Sequence, residues 1–511
     1  MRPQMSPSRA PGCTVAPLLI GLLAGCALLL SAIPAAAAQS GLDAHDLALL
    51  NRITWGADSA DAARLQSLGP RRWLQSQLHP SPADSLPAAV QARIDALPVA
   101  STPVAELLAA SQVCSHQAKL VADNDQRATA KQACKAGFVR LAQQSGEREL
   151  LRDIYSPAQL REQLAWFWLN YFNVDTRHGE LRVLIGDYED SAIRSHALGH
   201  FRDLLAASLR HPAMLIYLDN ASSSRGAINE NYARELMELH TLGVDAGYTQ
   251  QDVQELARIL TGLRVYAARD LPAEPPELAP QLVRQGLFLF DPSGHDYGDK
   301  LLLGHHIKGR GLAEVDEAID ILVRHPATAR HVSQRLALYF LGQPPSPALV
   351  ERMAATFTRS DGDIAQVLQT LFASSEFDRS LGQAFKDPMH YLVSAVRQAY
   401  DGRTITEALP IESWLSQLGE GLYVHPTPDG YPLNADAWNA SGQLAARFEV
   451  ARQFAATPPS SFGIAGGEAP LLQTARFETG LGSATRDALA QSRSPQERLI
   501  LYLSSPEFMR R

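Results

Sequence analysis

The stretch HPATARHVSQRLALYFLGQP, residues 325–344, carries a full set of helix punctuation. Pro326 suits the first helical position, where a missing N–H leaves nothing unpaired, and Gly342 with Pro344 stops the run after Leu341. The same grammar recurs outward in both directions. Ser59 reads as the cap of a helix that Gly69 ends, and Pro70 opens the next before Trp73 and Leu74. Ser156-Pro157 opens a run whose Leu160, Leu164, Phe167, Trp168 and Phe172 share one apolar face. His211-Pro212, Ser346-Pro347 and Asp363 each start a further segment. Thr249 with Asp252 three residues on has the pattern of a capping box, closed by Gly262. These signals predict an all-α fold, mainly one multi-helix domain.

One interval, Ala268 to Gly311, breaks the pattern. Leu271 to Pro280 holds four prolines, too many for a helix interior. Beyond it, Gly286 to Phe290 and Lys300 to Gly304 are short apolar runs flanking a loop of Gly, Asp and Pro. They predict a small β-hairpin or paired extended insertion near residues 286–304.

Residues 1–38 have the order of a secretory signal peptide. Arg2 and Arg9 precede an apolar run from Val15 to Ile33, then Pro34 and Ala35 to Ala38, with no acidic residue before Asp43. Leu23-Ala24-Gly25-Cys26 also fits a lipoprotein cleavage box, so lipidation at Cys26 stands open beside soluble export. Either route leads to the periplasm or the exterior. Of the four cysteines, Cys13 and Cys26 lie in this leader, leaving Cys114 and Cys134. An even pair in an oxidising compartment reads as one disulfide, with two unrelated buried thiols as the alternative. No cysteine remains for a zinc or iron–sulfur cluster.

The net charge is −8, with no basic stripe, so nucleic-acid binding is not expected. No second membrane-length apolar run follows the leader, so no transmembrane span is expected after its removal. Residues 39–511 are expected to form one large helical domain. Two lobes, 39–265 and 305–511, would pack together, joined by the irregular segment 266–304.

The densest polar group runs from Asn229 to His240. On a helix, Asn231, Glu235 and Glu238 stack on one face, and Arg234 lies beside them. Carboxylates one turn apart can hold a hard divalent cation, or divide into acid and base if their pKa values separate. The plainer alternative is a helix ion pair between Arg234 and the glutamates. A second group is the loop Asp291 to Lys300, where His295, Asp296 and Lys300 sit among Gly and Pro; turn residues of this kind also occur without a site. Trp166, Phe167, Trp168 and Tyr171 read as core. No Gly-x-Ser-x-Gly elbow, phosphate-cradling Gly-Lys loop or His-Glu-x-x-His occurs.

Taken in order, several segments resemble the bacterial family catalogued as domain of unknown function 1800. The fullest match is Asn229 to Gly243, continuing through Tyr248-Thr249 and Asp252-Val253 to Leu260-Thr261-Gly262. Leu50-Asn51-Arg52 with Trp55-Gly56, Phe167-Trp168 with Asn170 and Phe172, and His295-Asp296 with Lys300 and Gly304 also fit. So do His325 to Ala329, and Pro426 through Gly430 to Trp438 and Arg447. Tyr171 stands where the family often shows His, and Tyr431 where a Trp is frequent. The resemblance implies an exported helical protein, often encoded beside a secreted companion of domain of unknown function 1501, which looks like the alkaline phosphatase and sulfatase class.

Two readings follow. In the first, the Glu235 face meets His295 and Asp296 in a cleft of a cation-binding, hydrolase-like protein of the cell envelope. Glu235, Glu238, His295 and Asp296 would be ligands; Glu235 or Glu238 the base; His295 a ligand or acid; and Arg234 the partner of an anionic group. In the second, Asn229, Asn231, His240 and Lys300 join the same charges in a buried structural network. The protein is then a non-catalytic partner or assembly factor for the secreted companion.

Overall fold

The helix quoted first is present as Pro326–Leu341, with the His325 ring accepting from the Ala327 N–H at its start and Gly342 left-handed at its end. The computed structural model describes residues 42–81, 85–177, 179–268, 270–464 and 480–511; residues 1–38, read above as a leader, lie outside them together with Cys13 and Cys26. Helices dominate those residues, and 41–511 cluster as one compact unit. Ser59 is the first residue of its helix, Ser59–Leu68. The cap is Asp58, whose carboxylate accepts from Asp61 N at 2.8 Å, while the Ser59 hydroxyl donates to Asp401. Thr249 and Asp252 form the expected capping box of Gln250–Ile259.

Two helices form the centre. In Gln159–Tyr171 every residue but Arg161 is buried, and Pro388–Ala399 is buried throughout. Aromatic rings carry the first helix into its surroundings. Trp166 stacks on Tyr339 at 5.8 Å, Trp168 meets Phe201 at 5.8 Å, and Phe172 just beyond the helix meets His240 at 4.9 Å. Fully burying one such ring contributes about 2–3 kcal/mol. Nearer the amino terminus, Val104–Leu120 and Asn124–Tyr155 pack together and are stapled by a Cys114–Cys134 disulfide, with Cα atoms 5.9 Å apart.

The extended insertion is present, but its two runs do not pair with each other. β1 (Leu263–Val265), β2 (Val283–Gln285) and β3 (Phe288–Phe290) form an antiparallel sheet in the order β1-β3-β2. β4 (Lys300–Leu302) and β5 (His305–Ile307) form a separate hairpin. Turn chemistry decides this. Gly286 takes φ +58 between β2 and β3, and Leu303 with Gly304 take φ +49 and +81 between β4 and β5, so each run folds back on its nearest neighbour.

Candidate functional site

Asn229 to His240 supplies the helix Asn231–Glu238. Its apolar positions Tyr232, Ala233, Leu236 and Met237 are buried, which turns Arg234, Glu235 and Glu238 outward. Asn229 receives the Asn231 N–H at 2.9 Å, and Asn231 donates to the Leu218 carbonyl at 3.3 Å. Arg234 lies 3.3 Å from Glu230 and 3.6 Å from Glu238, and donates to Gln250 at 2.9 Å.

Glu235 is left out of this set. It is half-buried, and its carboxylate accepts no hydrogen bond among the described residues. Burial pushes its carboxyl up, helped by Glu238 and Asp429 and opposed by Arg234. Tyr217 and Tyr248 share these surroundings: burial first, and nearby carboxylates after it, push both hydroxyls up to about 12.

The His295 loop is closed. His295 has no solvent exposure; Nδ1 lies 2.9 Å from the Thr261 carbonyl oxygen and Nε2 3.0 Å from Glu314 Oε1. Lys300 donates to the other Glu314 oxygen and to the Asp296 carbonyl. The Arg310 and Gly311 N–H groups also donate to Glu314, at 2.5 and 2.9 Å. Asp296 points elsewhere, accepting from Arg258 at 2.9 and 3.1 Å and from Gly298 N at 2.8 Å. Arg258 holds its carboxyl below the ordinary range.

The four residues named as cation ligands are therefore divided. Glu235 and Glu238 face Arg234, Tyr248 and Asp429, while both ring nitrogens of His295 and both oxygens of Asp296 are taken. Among the described residues, the group of three His, Cys, Asp or Glu whose ligand atoms lie within 4.8 Å of one another is Asp43, His45 and Asp46. Asp43 and His45 there are exposed and Asp46 half-buried, and Asp43 caps a helix.

His240 stands apart from both clusters. It is buried with neither ring nitrogen hydrogen-bonded, and burial followed by His331 pushes it down to about 3. Tyr171, in the place where a His is frequent, packs against His240 at 6.3 Å and His331 at 6.0 Å, its hydroxyl also unpartnered.

Several participants escaped the sequence reading. Glu314 could have been flagged as an acid three residues after Gly311, but nothing linear ties it to His295. Asp429 lies inside the Pro426–Gly430 segment already marked by its motif. That segment docks on the end of the central helix: Asn170 and Tyr431 exchange two hydrogen bonds, at 3.0 and 2.6 Å, and Tyr217 donates to the Pro426 carbonyl at 3.1 Å. A larger charged group was missed altogether. Arg194, its side chain 10 % exposed, pairs with the buried Glu149 and Glu162, with Asp190 at 3.3 Å, and Arg148 reaches Asp190 at 2.8 Å.

Residues 48–510 match the model of a family described as "Protein of unknown function (DUF1800)". No curated protein and no solved structure matches the chain.

Proposed function

Because the chain belongs to the DUF1800 family, whose description names no activity, we propose a function from the geometry: a non-catalytic partner or assembly factor of the cell envelope. One observation carries this reading. His295, Glu314 and Lys300 satisfy one another without solvent exposure, and Asp296 is spent on Arg258, so the charged loop works as a clasp. A cation would have to displace every one of these partners to gain its ligands. The leader-like residues 1–38 and the Cys114–Cys134 disulfide support a place outside the cytoplasm. The partner is the secreted protein of domain of unknown function 1501 that the family resemblance implies.

The test is direct binding between the purified mature chain and a purified companion of that family encoded beside it. A defined complex in size-exclusion chromatography and calorimetry is expected, undisturbed by Glu235→Gln. No complex at tens of micromolar, together with a metal-dependent hydrolysis lost in a folded Glu235→Gln variant, would replace this reading with the catalytic one. Glu235 is the residue to vary because it is half-buried, unpaired and raised in pKa, the properties an acid–base group needs.

A further inference from the structure

The chain has six lysines, and two of them are buried. Lys300 has its carboxylate, Glu314. Lys386 has none: among the described residues no acid oxygen lies within ion-pair distance of its Nζ, although the residue is only 3 % exposed. Its neighbours are the Ser394 hydroxyl, to which Nζ donates at 2.9 Å, and the Phe508 ring, whose centroid lies 3.8 Å away. Ser394 in turn donates to the Tyr391 carbonyl at 3.1 Å. The serine oxygen therefore accepts an N–H from the amine while its own hydroxyl is spent on the Tyr391 carbonyl.

Lys386 also lines a cavity of about 450 Å³, together with Leu47, Asn51, Gln398, Tyr502 and Phe508. Two motifs left unused by the charged loops meet here. Asn51 lines the cavity, and Gly56 packs so closely on Ser394 that a Cβ at Gly56 would lie 2.4 Å from the Ser394 Cβ. The Arg447 and Arg511 guanidiniums stand nearby, and Asp387 opposes them more weakly than burial and the two cations depress the amine. A desolvated lysine beside other cations, in the wall of a partly apolar cavity, is the setting in which an amine becomes a nucleophile.

We propose that Lys386 is an amine nucleophile within this cavity, and that the cavity captures a small aldehyde as an imine on Nζ. The lone pair attacks the carbonyl carbon and forms the C–N bond. The carbonyl oxygen, taking up the two amine hydrogens, leaves as water, and a C=N bond remains. No oxidant or reductant takes part, and the capture reverses by hydrolysis. Phe508 and Leu47 suit an apolar or aromatic body; Asn51 and Gln398 suit a polar end. The site shares no residue with the clasp at His295.

The test uses the whole mature chain with benzaldehyde as probe at pH 7, sodium cyanoborohydride to reduce any imine to a stable benzylamine, and peptide mass mapping. Labelling of Lys386 at least about tenfold above each exposed lysine, namely Lys119, Lys131, Lys135 and Lys308, is expected, because an ordinary lysine is almost wholly protonated at that pH. Ala48→Trp, which narrows the cavity from a half-buried position without touching the amine, should cut the Lys386 adduct several-fold. Lys386→Met, checked for fold by circular dichroism, should lose that adduct alone. Labelling confined to the exposed lysines of folded protein would overturn the proposal, as would Lys386 labelling indifferent to Ala48→Trp.

Discussion

His295 Nε2 lies 3.0 Å from Glu314 Oε1, and neither side chain has any solvent exposure. That contact joins the loop after β3 to the start of the helix Leu312–Arg324, and Lys300 closes it from β4. One acid thus gathers three segments. The loop that sequence offers as a ligand-bearing tip is held from within, and its worth is measurable as stability.

Glu314→Ala should be among the most damaging substitutions in the chain. It strands a buried lysine and a buried histidine without their acid, a defect worth about 3–5 kcal/mol. Urea denaturation of the variant against the parent measures it. A loss below about 1 kcal/mol would show that the clasp is not a keystone.

The same contact predicts an acid response. Burial alone would push the Glu314 carboxyl up, but hydrogen bonds from His295, Lys300 and the Arg310 N–H outweigh it and hold the group below its ordinary value of 4.5. A depressed acid contributes stability above its unfolded value and loses it as pH falls through the folded one. Denaturation midpoints taken from pH 6 down to 3 should therefore fall more steeply in the parent than in Glu314→Gln. Parallel curves would remove Glu314 from the acid response.

The Cys114–Cys134 bridge closes a separation of 20 residues. Loop-closure entropy for that length corresponds to about 3 kcal/mol. Reductant should lower the melting temperature of the parent and leave a Cys114→Ala, Cys134→Ala double variant unmoved. An equal response in both would mean that the bridge does not restrain the unfolded chain.

What was legible in the sequence was local. The cap at Thr249, the stop at Gly342 and the apolar face of Gln159–Tyr171 are decided within a few residues, so their reading needs no tertiary knowledge. Strand pairing went astray because the left-handed turn at Leu303-Gly304 determines which run meets which, and a leucine does not advertise positive φ. Within the site, Glu235 and Arg234 were visible as a charged face, yet the partners that give charges their role are distant in the chain. Glu314 lies 19 residues from His295, and Glu149 lies 45 from Arg194. Lys386 carried no signal, since nothing near it in sequence says that its carboxylate is missing.

Gly430 is the residue that lets the Pro426–Gly430 segment dock. Its φ is +71, and a Cβ there would lie 2.1 Å from the Asn170 carbonyl oxygen. Gly430→Ala should cost more than about 2 kcal/mol through backbone strain and overlap together. It should also separate the Asn170–Tyr431 pair, leaving buried polar groups unpaired. Thermal unfolding, with hydrogen exchange at the Tyr431 amide, reads both effects; unchanged protection would contradict the docking.

His240 gives the sharpest pH test in the core. The buried ring stays neutral in the folded protein down to about 3, whereas its ordinary value is 6.5. Between those values the unfolded chain takes up a proton that the folded one refuses. Stability should accordingly fall by about 1.4 kcal/mol per pH unit on acidification through that window. His240→Leu removes the group and should flatten this part of the profile. At pH 7 it also deletes two buried nitrogens that have no hydrogen-bond partner, so the variant should match the parent or exceed it by about 1–2 kcal/mol. The opposite outcome, a loss of more than about 2 kcal/mol at pH 7, would mean that the protein in solution satisfies the ring with a bound water or ion. His240 would then belong with Tyr171 and His331 in a polar site, and metal analysis of the parent beside His240→Leu would be the measurement to make.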